Sequence, residues 1–267
     1  MNSRNPTQKR GWSCKAFLLV TAMMLLLTIH VSSTNTLAAN MLKVGLLLEP
    51  KTLNIWRAGD RWSLKVLGLI YQPLYIRSPD TLKLIPWLAA GEPVFDQQTL
   101  SYTVKIRPAK WSDGTELTSA DVAFTGRFIK EFRVPRYLSK WKFIKKIETP
   151  DKHTVKFYLE KPKAIFLTRT LTTPIVQEKE WTKIIEVARK AKKPLVTLLN
   201  HKIENPVGSG PFVLKDWRQG AYLFLQKNKL FFGKGQKISD RLLGPYIDGI
   251  IFKIYGTSDA AILALKK

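Results

Sequence analysis

The sequence predicts a mixed α/β fold. Residues 99–107 and 154–159 alternate apolar and polar side chains with the period of a half-buried strand, whereas apolar positions near 64–71 and 181–188 recur at helical spacing. Turn signals rich in Gly, Pro, Asn and Asp separate the two kinds of segment. The 267 residues, 45% of them apolar, can bury a core of one to two domains and exclude a disordered or collagenous chain.

The start of the chain reads as an address. Arg4, Lys9, Arg10 and Lys15 form a positive segment without acids, followed by an apolar run over 16–29 and then polar Ser32, Ser33 and Thr34. As a helix that run would rise roughly 21 Å, short of the ~30 Å hydrocarbon core of a bilayer. An export signal over residues 1–39, cleaved near Asn40, is expected, with an uncleaved anchor as the alternative. Cys14, the single cysteine, lies inside it, so the mature chain would carry no disulfide, thiol nucleophile or cysteine-ligated metal. No cysteine follows the apolar run to take a lipid, and the expected location is periplasmic.

Along the mature chain, residues 42–48 are a short apolar run closed by Glu49-Pro50, as in a buried strand. A loop over 52–61 leads to a helix marked by Leu64, Leu67 and Tyr71, with Val66 and Ile70 beside them. Residues 72–76 read as a short strand before Ser78-Pro79-Asp80, and 86–89 run into a turn with Gly91 and Pro93. The strand 99–107 should turn Leu100, Tyr102, Val104 and Ile106 inward, end at Pro108 and pass through the turn Trp111-Ser112-Asp113-Gly114. Thr118 caps the next helix, with Asp121 complementing its dipole, and Pro135 should stop it.

A turn at 150–152 precedes the strand of Val155, Phe157 and Leu159. A helix over 177–192, with Trp181 on its core face, is ended by Pro194. Residues 205–211 are loop, 212–217 and 221–227 form a hairpin around Arg218-Gln219-Gly220, and 249–255 is a last strand. Thr257 caps a final helix carrying Ile262, Leu263 and Leu265.

Catalytic chemistry finds no footing. Gly208-Ser209-Gly210 is followed by Pro211 and a strand-like stretch, which argues against a phosphate loop. His153 and His201 lack metal-ligand spacing and read as solvated, Ser112-Asp113 has no elbow, and no carboxylate pair suits acid–base work. No enzyme activity, metal or cofactor is expected. Without residues 1–39 the chain holds 40 basic and 20 acidic residues, but the basic ones are interleaved, so no specific nucleic-acid partner is expected. Trp56 and Trp62 stand beside Arg57, Asp60 and Arg61; such rings suit either small-ligand capture or closure of a core edge.

Four stretches together resemble the extracellular solute-binding proteins of family 5, the oligopeptide-, dipeptide- and nickel-binding receptors of ABC importers. They are Thr52-Leu53-Asn54; residues 100–107 running into 111–124; Gly208-Ser209-Gly210-Pro211-Phe212 with Leu214 and Trp217; and residues 228–233. The resemblance implies a periplasmic-binding-protein-like fold of the peptide-binding cluster. Its first lobe would comprise 40–76 and the return segment 205–267, an inserted subdomain 77–204, with the second lobe missing. It implies capture of a peptide or similar small solute for ABC permease subunits in the membrane, with a separately encoded second lobe as a further expected partner. It places Gly59, Asp60, Arg61 and Trp62 in a ligand-facing loop, and Tyr137 near the ligand. The alternative, from charge alone, is a basic exported protein that binds anionic polymers or membrane.

Overall fold

The computed structural model describes residues 40–238 and 240–266; the expected export signal at 1–39 lies outside the described residues. In chain order the elements are β1 (Met41–Leu46), α1 (Arg61–Ile70), the hairpin β2 (Tyr75–Arg77) and β3 (Leu84–Pro86), β4 (Val94–Asp96) and β5 (Ser101–Lys105). Two short strands, β6 (Ala109–Lys110) and β7 (Glu116–Leu117), flank the Trp111–Gly114 turn before α2 (Ser119–Glu131) and α3 (Pro135–Trp141). Then come β8 (Ile144–Asp151), β9 (Thr154–Leu159), a π-helical turn (Phe166–Thr170), α4 (Glu178–Lys190) and α5 (Pro194–Asn200). The chain returns through β10 (Phe212–Arg218), β11 (Tyr222–Lys227), the small pair β12 (Lys237–Ile238) and β13 (Arg241–Leu242), then β14 (Gly249–Ile254) and α6 (Ser258–Leu265).

Two four-stranded sheets organise these elements. One has the order β1-β14-β11-β10, and its β1 lies parallel to β14 with Met41 opposite Gly249 and Leu46 opposite Ile254. A parallel pair needs a crossover, and here the crossover contains most of the chain. Leu46, Leu223, Leu225, Ile250 and Phe252 form the buried side of this sheet. The other sheet, β4-β5-β9-β8, is wholly antiparallel and buries Val104, Val155, Phe157 and Leu159.

Several local readings need correction. Leu100 adopts a left-handed φ of +50° and lies outside β5, so the inward row is carried by Val104 and Ile106 with Tyr102 half-buried, while Ser101 is buried as well. Pro135 and Pro194 do follow helix ends, but each also opens a helix, because the first helical position needs no N–H and proline's fixed φ suits it. The turn expected at 150–152 starts later, since β8 continues to Asp151. His153 is half-buried rather than solvated, with Nε2 3.4 Å from a Glu116 oxygen.

The stretches that carry the family resemblance are fasteners. Ser112 N–H donates to the Gly208 carbonyl at 2.9 Å and Gly208 N–H to Ser112 Oγ at 3.3 Å, so the 111–114 turn and the 205–211 loop are tied together. That loop lies on the end of α1: Gly210 N–H donates to the Ile70 carbonyl at 2.8 Å. A Cβ at Gly208 would sit 2.0 Å from the Ile70 oxygen, which explains a glycine there. Asn228 Nδ2 closes the set on the Gly210 carbonyl at 2.8 Å.

Asp121 joins α2 to α4. Its buried carboxylate accepts from Thr118 N–H (2.9 Å), Glu178 N–H (2.9 Å) and Trp111 Nε1 (3.3 Å). Burial raises its pKa, and these donors oppose the rise.

Candidate functional site

The segment 52–62 is clamped at its stem and open at its tip. At the stem, fully buried Asn54 donates through Nδ2 to the carbonyls of Leu198 (2.9 Å) and His201 (3.1 Å) at the end of α5, while its Oδ1 accepts Trp56 N–H at 3.0 Å. Trp56 thereby enters an aromatic nucleus, 4.7 Å from Phe128 and edge-on to Tyr137 (5.5 Å) and Trp181 (5.6 Å). Of the two roles open to Trp56, the structure therefore gives it a core position, 2% exposed.

At the tip, Asp60 is the N-cap of α1 and accepts Ser63 N–H at 2.9 Å, and Ser63 Oγ in turn accepts Thr52 N–H at 3.1 Å. Burial by itself would raise the Asp60 carboxyl, but the bonds from Ser63 outweigh it and hold the group below the usual carboxylate range. Gly59 and Arg61 are exposed, and nothing lies within 4 Å of where a Gly59 Cβ would stand. The Arg61 guanidinium lies 5.6 Å from the centre of the Trp62 ring, which is half-buried against the core. This tip can offer a charged fork, a carboxylate and an aromatic face side by side.

Tyr137 reaches the same loop from α3. It is buried, burial raises its phenol, and it meets the stem at Trp56. The structure thus joins Gly59, Asp60, Arg61 and Trp62 at the tip and brings Tyr137 to the stem. Sequence reasoning missed the basic surroundings of Tyr137. The Lys140 ammonium lies 4.8 Å from its ring centre and the Arg136 guanidinium 6.0 Å. Arg136 and Lys140 are one helical turn apart, a signal hidden in the sequence because Pro135 reads as a helix stop.

An apolar cavity of about 470 Å³ lies elsewhere, lined by Trp87, Phe212, Phe231, Tyr246 and Ile250 together with Gln72. The Gln72 amide is already engaged: Oε1 accepts Trp87 Nε1 at 2.7 Å and Nε2 donates to the Gly68 and Tyr71 carbonyls. The cavity therefore offers shape and apolar surface but no free polar handle from that side chain.

Comparison with known proteins gives a consistent result. The family model for bacterial extracellular solute-binding proteins, family 5 Middle, matches residues 83–267. The oligopeptide-binding protein AppA of Bacillus subtilis is 28% identical over 229 residues, covering 84% of this chain and 39% of its own length. The solved structure of AppA in complex with a nonapeptide superimposes with a TM-score of 0.65 and 26% identity, covering 85% of this chain and 42% of that one. The ABC transporter substrate-binding protein CtaP of Listeria monocytogenes gives 0.67 and 27%, covering 85% and 43%. The chain spans about two fifths of the length of these relatives.

Proposed function

Because this chain belongs to the bacterial extracellular solute-binding proteins of family 5, we propose that it captures peptides or similar small solutes outside the cytoplasmic membrane and delivers them to ABC permease subunits. The observation that carries this reading is the fold shared with nonapeptide-bound AppA over 85% of the chain. Family members bind substrates for transport, and we assign this chain a binding role without catalysis. Export by residues 1–39 would place it in the periplasm. Among the described residues no helix is long and apolar enough to cross a membrane.

We divide the chain into a lobe of 40–76 and 205–267 with 77–204 inserted. The pairing of β1 with β14 supports this, as does a second sheet drawn wholly from strands between Val94 and Leu159. We propose a separately encoded second lobe as a further partner; α6 offers an apolar surface to a second lobe, since none of its residues is buried and Ile262, Leu263 and Leu265 are exposed. Closure of two lobes buries the solute, so this chain alone should bind short peptides more weakly than micromolar.

On this reading Gly59, Asp60, Arg61 and Trp62 face the solute, with Tyr137, buried at the stem, as the fifth ligand-binding residue. Arg61 pairs a carboxylate, Asp60 a cation, and Trp62 covers an apolar group. The test is calorimetry with a nonapeptide on a two-lobed protein made by joining this chain to the remaining length of AppA. Replacing Arg61 and Trp62 together by Ala should weaken binding at least about tenfold. Unchanged affinity would remove both from the site.

A further inference from the structure

We propose that the apolar cavity at the far end of α1 docks the chain on an anionic membrane surface, taking one lipid acyl chain between Trp87, Phe231 and Ile250 while neighbouring lysines meet the headgroups. The inference stands apart from solute capture. Helix α1 begins at the candidate solute loop, with Asp60 as its cap, and reaches the cavity at Gly68. Its ten residues rise about 15 Å, so a lipid held at one end leaves the other uncovered.

The cavity wall suits hydrocarbon. Its volume of about 470 Å³ falls in the range of small-molecule sites. The Gln72 amide, the Trp87 indole N–H and the Tyr246 hydroxyl are all engaged within the protein, so these side chains ask an occupant for no hydrogen bond. Gly68 keeps the space open. It lies inside α1, where glycine weakens a helix relative to alanine, yet nothing stands within 4 Å of where its Cβ would be, so no crowding requires it.

The rim names the occupant. Tyr246, 70% exposed, donates through its hydroxyl to the Leu242 carbonyl at 2.9 Å. Leu242, 61% exposed, stands opposite Lys237 in the β12–β13 pair, which puts both side chains on one face. Gly235 N–H donates to the Leu243 carbonyl at 2.9 Å and Leu243 N–H to the Gln236 carbonyl at 2.8 Å. These bonds tie the pair to the turn bearing Phe231 and the exposed Lys229, Leu230 and Lys234. Residues 229–246 hold four cations, Lys229, Lys234, Lys237 and Arg241, against one acid, Asp240. Lys237 and Arg241 lie 3.6 and 3.4 Å from Asp240 and Asp80, whereas Lys229 and Lys234 pair with no carboxylate among the described residues. A free hydrocarbon would fill the cavity but leave Leu230, Leu242 and Tyr246 wet. A lipid surface covers all three: the leucines enter the acyl region, the tyrosine sits at the headgroups, and the lysines draw anionic lipid.

The test uses the full chain in two arms at about 0.1 M salt. In solution, monomeric dihexanoyl phosphatidylglycerol should shift the methyl NMR signals of Leu243 and Ile250 saturably. Gly68→Phe, which fills the cavity from a position where a side chain meets nothing, should weaken that binding at least about tenfold. On vesicles, binding to phosphatidylglycerol should exceed binding to phosphatidylcholine. It should fall at least about fivefold in Leu242→Ser with Tyr246→Ser, and hold in Leu263→Ser with Leu265→Ser on α6. Equal losses from the two pairs, no loss from the first, or methyl shifts indifferent to Gly68→Phe would overturn docking at this site. Decanoate shifting the same methyls while vesicle binding ignores Leu242 and Tyr246 would make a free amphiphile the occupant and overturn the membrane. Each of these results leaves the solute-capture reading standing.

Discussion

Helices α2 and α6 reverse what their compositions would lead one to expect. Helix α2 mixes Asp, Thr, Arg, Lys and Glu with its apolar residues, yet nine of its thirteen residues are buried between the second sheet and α4. Helix α6, written Ser-Asp-Ala-Ala-Ile-Leu-Ala-Leu, is the more apolar of the two and buries none, with Leu263 63% and Leu265 87% exposed. Both start in the same way: Thr118 and Thr257 stand at the N-caps, and each first turn carries an aspartate. The difference teaches that capping chemistry sets where a helix begins, while burial is set by what surrounds it.

The comparison can be broken most forcefully in α2. Phe128 lies 4.7 Å from Trp56, 5.2 Å from Phe132 and 5.7 Å from Trp181, so its truncation opens a hole between three elements. Phe128→Ala is expected to cost about 3–5 kcal/mol, read from urea midpoints. Asp121→Ala should come next, at about 3 kcal/mol, because the Thr118 and Glu178 N–H groups and the Trp111 indole lose their common acceptor. If either variant unfolded at the wild-type urea concentration, burial of α2 would not contribute to stability as argued.

Much of this was readable in advance, and the parts that were not have physical reasons. Strands β1, β5, β9, β10, β11 and β14 and helices α1, α2, α4 and α6 are visible because one face of each repeats apolar residues or a capping residue marks its start. Strand β8 escaped because it is an edge whose Lys145 and Lys146 face water, and β4 because Val94 and Phe95 remain exposed despite being paired. In the candidate site, Gly59 to Trp62 were legible as neighbours in sequence. The contact of Tyr137 with Trp56 depends on elements meeting in space, which no local pattern encodes.

A titration sharpens the contrast further. Glu180, on the helix against which α2 packs, accepts Val207 N–H at 3.1 Å, and burial, aided by the charge of Asp113, pushes its carboxyl up to about 7. The folded chain therefore keeps a proton that the unfolded chain releases near its ordinary value of 4.5. Its contribution is fully present below that value and is lost as pH rises through about 7, by at most about 3 kcal/mol. Glu180→Gln should flatten this part of the stability–pH curve. An unaltered slope would mean that the group titrates as it does in water.

The smallest effect is expected where α6 meets solvent. Leu263→Ser removes an apolar side chain that is already mostly wet, so the transfer term that makes Phe128 costly is nearly absent. Urea midpoints should agree with the parent to within about 0.5 kcal/mol. A loss approaching that of Phe128→Ala would show that α6 is covered in solution, and a covering partner would then have to be sought. If the midpoint holds while the protein becomes less prone to self-association, the exposed row Ile262, Leu263 and Leu265 is an association surface. In that case the apolar character of α6 serves assembly and adds nothing to the stability of this chain.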